Sequence, residues 1–340
     1  MLIPDDQTFL LYRLSFDGPC NSKNPRVQVS GKLIAPTMSQ WDGPTDYWIQ
    51  FSHVDNLTIT GSGVIDGQGS QWWTAGECLT NDANDAACHR PTVLRMSGCD
   101  GLSIEGRLTF VNSQRNHISL VGLEKVIISG ITIKAPEDSP NTDGIDISGS
   151  KHIRIEDSTI GTGDDCVAIN GGCSDINITN VACGPGHGIS IGSLGADKAE
   201  EEVERVHVRN CNFTDTLNGA RIKTWQGGDG FAKKITFEQI NLDRVHNPIV
   251  IDQYYCNGEH GCPEYQSAVK VSDVIFSGIQ GTSPNVIVIN LNCSRTVACT
   301  NIMMKDIDIK TIKSKAQADS YCMNAVGYDV DTSPSVSCLR

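Results

Sequence analysis

The sequence predicts an all-β chain, wound as a right-handed parallel β-helix in a single domain over residues 1–340. Two observations carry this expectation. Short strands of alternating Val and Ile recur along the chain, each followed by a polar or glycine break and a second strand. Their spacing also repeats at a length typical of solenoids, with little helical signature between repeats.

The repeating segments are "DNLTITGSGVIDG", "DGLSIEGRLTF", "EKVIISGITI", "KHIRIEDSTI", "SDINITNVAC", "ERVHVRNCNF", "KKITFEQINL", "SDVIFSGIQG" and "TNIMMKDIDI". Their first apolar residues are Leu57, Leu102, Val126, Ile153, Ile176, Val206, Ile235, Val274 and Ile302. From Leu102 to Ile235 the steps are 24, 27, 23, 30 and 29 residues, and the last step, to Ile302, is 28. The longer gaps enclose Cys78 and Cys88 in one case and Cys256 and Cys262 in the other, so loops are expected there. The L-x-x-L-x-L frame of leucine-rich repeats is absent, and a propeller blade requires four strands in a longer repeat. In a parallel coil, equivalent residues stack about 4.8 Å apart, and alternate side chains face inward. The acidic run "ADKAEEEVER" (196–205) reads as a solvated loop. No linker divides the chain.

Composition narrows the partners. The formal charge is −13 and the pI is near 5. This excludes the basic footprint of a nucleic-acid binder and disfavours anionic membrane surfaces. No stretch approaches the roughly 18 apolar residues of a membrane span. Fourteen cysteines include the close pairs Cys78/Cys88, Cys166/Cys183, Cys256/Cys262, Cys293/Cys299 and Cys322/Cys338, without paired CxxC zinc spacing. They read as loop-clamping disulfides of an oxidising compartment, and sequons at Asn56, Asn177, Asn212 and Asn292 agree with secretion. The opening "MLIPDDQTFLLYRLSFDG" is not a signal peptide, so the expectation is a removed signal or a start partway into a longer protein.

Three stretches share one frame: "NTDGIDI" (141–147), "GDDCVAI" (163–169) and "PGHGISI" (185–191). Ile145, Val167 and Ile189 are 22 residues apart, as are Asp143, Asp165 and His187. Turns of 22 residues put these side chains in one row, with Asp164 beside the middle one. Any single Asp at a strand end is a common turn former, so the case rests on their co-location. Crowded carboxylates raise one another's pKa, which leaves a protonated acid beside ionised bases. That is the equipment of glycosidic cleavage. On the next coil, "NGARIKTW" (218–225) alternates Ala220 and Ile222 inward, leaving Arg221 and Lys223 to face an anionic substrate. One coil further, "IVIDQYY" (249–255) ends in Tyr254 and Tyr255. Trp225 reads as packing.

In this order, "SPNTDG" (139–144), "GDD" (163–165), "GHG" (186–188) and "RIK" (221–223) resemble the motif set of the polygalacturonases, glycoside hydrolase family 28. "GSGVIDGQGSQWW", "GPGHGISIGSLG" and "NPIVIDQYYC" resemble its plant branch. The resemblance implies a right-handed parallel β-helix. It also implies inverting hydrolysis of α-1,4 bonds of de-esterified pectin, without metal or cofactor. By motif, Asp164 is the general acid, Asp143 and Asp165 hold and activate water, and His187 supports the acid. Arg221 and Lys223 bind the galacturonate carboxylate, with Asn141 as a substrate contact. Tyr255 in "Q-x-Y-x-N-G" is the tyrosine equivalent, with Tyr254 as the alternative. The resemblance also implies a Cys166–Cys183 bridge closing the catalytic turn. The "GAKGDG" and "TDDT" phrases of the usual N-terminal cap are absent, so an uncovered first coil and a free Cys20 are expected. Cys99, Cys173 and Cys211 are expected as buried thiols.

The expected protein is a secreted, cell-wall-acting monomer with an acidic optimum, and a flat rate from pH 4 to 8 counts against it. A calcium-dependent lyase would recast the three aspartates as ligands, but His187 suits Ca²⁺ poorly. A non-cutting pectin binder and a rhamnogalacturonan hydrolase are the other readings. Endo and exo cutting are not distinguished by the sequence.

Overall fold

The structure is a computed structural model that describes residues 1–43, 46–74, 90–258 and 262–339. The expected Cys78/Cys88 pair lies outside the described residues. The fold is a right-handed parallel β-helix, and the chain divides into two compact units, Met1–Val167 and Ala168–Arg340. Among the described residues, helix is confined to Ser70–Trp73 and the short 3-10 turns Met38–Gln40 and Ala196–Lys198.

In the first unit each coil is built from three short strands. One coil comprises Ile118–Val121, Glu124–Ser129 and Thr132–Lys134, and the next Ile145–Ser148, Lys151–Glu156 and Thr159–Gly161. Ile118 pairs with Ile145, Val126 with Ile153 and Ile133 with Ile160, all parallel and all 27 residues apart. The step read from Val126 to Ile153 is therefore the true coil length. Thr58 pairs with Ser103, so the long gap after Leu57 is one coil with an inserted loop. Inward positions stack like on like: Ile59, Ile104, Ile128 and Ile155 form one ladder, each at most 2% exposed. Each such burial is worth about 1.5–3 kcal/mol before entropy is set against it.

The second unit repeats the scheme with longer strands. Ile178, Val208, Phe237, Phe276 and Met304 form a buried ladder, and the two Phe rings stack 5.7 Å apart. Ile176 pairs with Val206 and Val206 with Ile235, at the steps of 30 and 29 read from the sequence. The disulfides Cys256–Cys262, Cys293–Cys299 and Cys322–Cys338 are present, and Cys166 and Cys183 are each disulfide-bonded. Cys20, Cys99 and Cys211 are in no disulfide; Cys20 is exposed, while Cys99, Cys173 and Cys211 are buried.

One regularity lies behind the repeat. The residue before each of the nine marker positions has a positive φ: Asn56, Gly101, Lys125, His152, Asp175, Arg205, Lys234, Asp273 and Asn301, all between 54° and 70°. A single left-handed residue turns the chain from one face to the next, and the marker then points inward. Gly and Asn take this conformation cheaply; Lys, His and Arg pay a steric cost there.

Candidate active site

Parallel pairing brings the predicted aspartates of the first unit together. The register Ile118↔Ile145 runs back toward the N-termini of the strands: the Ile118 N–H donates to Gly144 O at 3.0 Å and the His117 N–H to Asp143 O at 2.8 Å. The same pattern recurs one turn on, where Ile145 N–H donates to Cys166 O at 3.1 Å and Gly144 N–H to Asp165 O at 2.9 Å. Ile145 therefore stands opposite Val167, and Asp143 opposite Asp165, as the 22-residue frame requires. The row extends backward to Asn116, 27 residues before Asp143, which the motif search passed over.

The turns on either side lock this row. Ser139 and Thr142 share a hydroxyl contact of 2.7 Å, and Thr142 Oγ1 accepts the Gly163 N–H at 3.0 Å. A Cβ on Gly163 would lie 2.0 Å from Ser139 O, and one on Gly144 would lie 2.5 Å from Cys166 O. Only glycine permits those approaches. Asp165 is fully buried, and its N–H donates to Asp164 Oδ1 at 2.8 Å. Asp164 is half-buried, held at the mouth of the strand. Asn141 sits at φ 55°, and its Oδ1 accepts a 2.6 Å bond from the buried Arg90, whose other nitrogen donates to Pro140 O at 3.0 Å.

His117 and Asp146 were not singled out by motif. The buried His117 ring uses Nδ1 toward Asp143 O at 3.0 Å, while Nε2 accepts the Ser113 N–H at 3.2 Å. Burial pushes its pKa down to about 4, so the ring is neutral. Asp143 O is thus gripped by both the backbone and the ring of one residue. Asp146 hydrogen-bonds Asn116, while its enclosed Oδ1 has no partner among the described residues. Desolvation raises its pKa to about 7; Arg115 and Asn116 oppose this, and the charges of Asp165 and Asp164 add to it. Asp146 falls three residues after Asp143, so strand alternation gives the only sequence signal for it.

In the second unit, His187 precedes the strand Ile189–Leu194, and its carbonyl accepts a 3.2 Å bond from Asn218 Nδ2. That strand pairs with Asn218–Trp225, placing Ser190 beside Arg221. Arg221 Nε donates to Ser190 Oγ at 2.9 Å. Ala220 and Ile222 face inward, as expected. Lys223 leaves the apolar interior but is not solvated: it is only 8% exposed, with its ammonium 5.2 Å from the Tyr255 ring centre. Asn247–Tyr255 is the next strand, and Lys223 stands opposite Asp252 in it. Burial raises the Asp252 pKa against the pull of Tyr254 N–H, Asn292 and Arg221. The tyrosines separate clearly: Tyr255 packs against Lys223, while Tyr254 turns its hydroxyl to the Arg295 N–H at 3.0 Å. Trp225 packs edge-on against Tyr255, with centroids 5.4 Å apart.

With this geometry, comparison with known proteins is decisive. The profile of glycosyl hydrolases family 28 matches residues 1–330. The chain belongs to that family. A probable polygalacturonase of Arabidopsis thaliana is 45% identical across this whole chain, which spans 73% of that protein. A polygalacturonase of Chamaecyparis obtusa is 43% identical over 96% of this chain, which spans 63% of that relative. Among solved structures, the polygalacturonase of Erwinia carotovora aligns with a TM-score of 0.75 at 25% identity, over 94% of this chain and 86% of that one. An endo-xylogalacturonan hydrolase of Aspergillus tubingensis aligns with a TM-score of 0.79 at 24% identity, over 97% and 88%, a likeness of fold alone. The family-28 chain is thus a glycoside hydrolase. Among the described residues no helix is long and apolar enough to cross a membrane.

Proposed function

We propose that this family-28 chain hydrolyses α-1,4-galacturonosyl bonds of polygalacturonate by an inverting acid/base route. The observation that carries the reading is the register that sets Asp143 opposite Asp165, with Asp164 next to it. Asp164 is the less buried of the adjacent pair and acts as general acid, protonating the leaving glycosidic oxygen. Asp143 and Asp165 hold and deprotonate the attacking water. His187 supports the acid. Arg221 and Lys223 take the substrate carboxylate, Arg221 by the fork geometry of its guanidinium. Tyr255, against Lys223, lines the same sugar, and Asn141 contacts the neighbouring unit. The reading takes residues 1–340 as a single catalytic domain. A secreted monomer acting on the cell wall completes the proposal.

The test is a reducing-end assay on polygalacturonate, with Asp164→Asn as the blank. New reducing ends without absorbance near 235 nm support hydrolysis. Absorbance at 235 nm abolished by a chelator would mean a lyase instead. A rate loss of about 10²-fold or more is expected for Asp164→Asn. The rate should peak at acidic pH.

A further inference from the structure

The second unit holds a cavity of about 660 Å³ with Tyr255 in its wall. Its wall includes Trp225, Tyr254, Tyr255 and Tyr265, with Gln226 and Lys198. Four aromatic rings around one space are a carbohydrate-binding composition, since flat apolar faces match the C–H faces of a pyranose. The rim is fixed before any ligand arrives. Gln226 Oε1 accepts the Tyr265 N–H at 3.0 Å, and its Nε2 donates to Gln253 O at 2.9 Å. Gly227 N–H donates to Ser267 O at 2.8 Å, and a disulfide joins the wall residues Cys256 and Cys262.

Charge decides the class of sugar. Among the described residues, the ionisable side chains on the wall, tyrosines and the bridged cysteines aside, are Lys198, Asp197 and Glu264. Lys198 is drawn over the Tyr265 ring, 4.8 Å from its centre, and Glu264 pairs with Arg295 at 3.4 Å. With Glu264 answered by Arg295, Lys198 is balanced by Asp197, and the described wall carries no net positive charge for a free carboxylate. Arg221 and Lys223 are not on this wall, although Lys223 lies against the Tyr255 ring. We propose that this cavity is an accessory subsite for an uncharged hexopyranosyl unit, reached from the galacturonate site across Tyr255. The proposal rests on the galacturonan reading only for the identity of that neighbouring unit. The uncharged unit has two sources of the same chemistry: a methyl-esterified galacturonate in the main chain, or a neutral sugar.

The test is binding rather than turnover, so it stands apart from hydrolysis. Methyl α-galactoside, methyl α-galacturonoside and the methyl ester of the latter are titrated against the full chain, with saturation-transfer NMR and indole fluorescence as readouts. Monosaccharide glycosides offer no bond between galacturonate units, so a protein without hydrolase activity still answers. In an Arg221→Ala/Lys223→Met background, where the galacturonate site no longer draws the anionic probe, the expected result is that the two uncharged probes bind at least a few-fold more tightly than the anionic one at neutral pH. Tyr265→Ala is expected to weaken them roughly ten-fold, while Tyr265→Phe retains them. A tighter ester than galactoside identifies the main-chain source, and the reverse identifies the neutral sugar. Equal or tighter binding of the anionic probe overturns the proposal, as does a folded Tyr265→Ala that binds like wild type. Should Tyr265→Ala fail to fold, the contrast between probes in the Arg221→Ala/Lys223→Met background decides alone. A protein that cuts polygalacturonate but shows no such contrast loses the subsite and keeps its function.

Discussion

Asp146 shows how one buried carboxyl records the crowding around it. Its folded pKa, about 7, lies above the roughly 3.9 of an unfolded aspartate. The folded state therefore binds the extra proton. This contribution to stability is full below about pH 4 and is lost as the pH rises through about 7. Thermal melts of wild type and Asp146→Asn between pH 4 and 8 test the sign: the melting temperature of wild type should fall relative to the variant by a few degrees as the pH rises. A constant difference would place the titration elsewhere. Gly163 gives a second test at this scale. An alanine Cβ there meets Ser139 O at 2.0 Å, a backbone atom that cannot swing away. Gly163→Ala should cost about 1–3 kcal/mol in denaturant melts, and it should slow cleavage because the same turn carries Asp164. The four motifs single out Asp143, Asp164, Asp165 and Arg221, and the Q-x-Y-x-N-G frame Tyr255, because each has a chemical type and a place in the repeat. Arg90, Asn116, His117 and Asp146 stayed hidden because their roles arise from neighbours on other coils. A His before an alternating strand carries no mark that its ring will grip the carbonyl of Asp143.

At the scale of the element, the strand pattern was readable because alternation and coil length are both properties of the linear sequence. Five of the steps between markers, including the 27 from Val126 to Ile153, are the register of the paired strands. The corner preceding each marker was not readable, because Lys125, His152 and Arg205 are not residues that announce a left-handed turn. Their conformation is imposed by the stacked coils above and below, which override local preference. Lys125 separates the backbone term from side-chain contacts, since its side chain is 76% exposed and its ion pair with Glu124 is 3.9 Å long, a contact worth little. Lys125→Ile places a β-branched residue at φ 62° and should destabilise by about 1–2 kcal/mol. Lys125→Gly should be neutral or mildly stabilising, because it removes that strain at some cost in chain entropy. Equal losses in both variants would mean that the side chain, not the corner, matters.

For the whole molecule, the governing conflict is between its charge and that of its substrate. A chain of −13 repels a polyuronate at long range, while Arg221 and Lys223 attract one carboxylate at short range. Salt acts differently on the two. At about 0.01 M ionic strength the screening length is about 30 Å, so most of the protein's acidic surface acts on an approaching chain; at about 0.1 M it is about 10 Å. In the proposed site the buried Lys223 and the Ser190-bound Arg221 meet the sugar carboxylate directly, and contacts at that range are screened far less. Moderate salt should therefore remove the repulsion before it weakens the grip. The ratio kcat/KM on polygalacturonate should rise a few-fold between these ionic strengths, then level or fall at higher salt. The rise should be steeper at pH 7 than at pH 5, where part of the surface carboxylate charge on both partners is neutralised. A series of initial rates at sub-KM substrate, with sodium chloride as the only variable, measures it. A monotonic fall from the lowest salt upward would mean that the local cations, rather than the net charge, control approach, and that the acidic surface lies where an incoming chain does not pass.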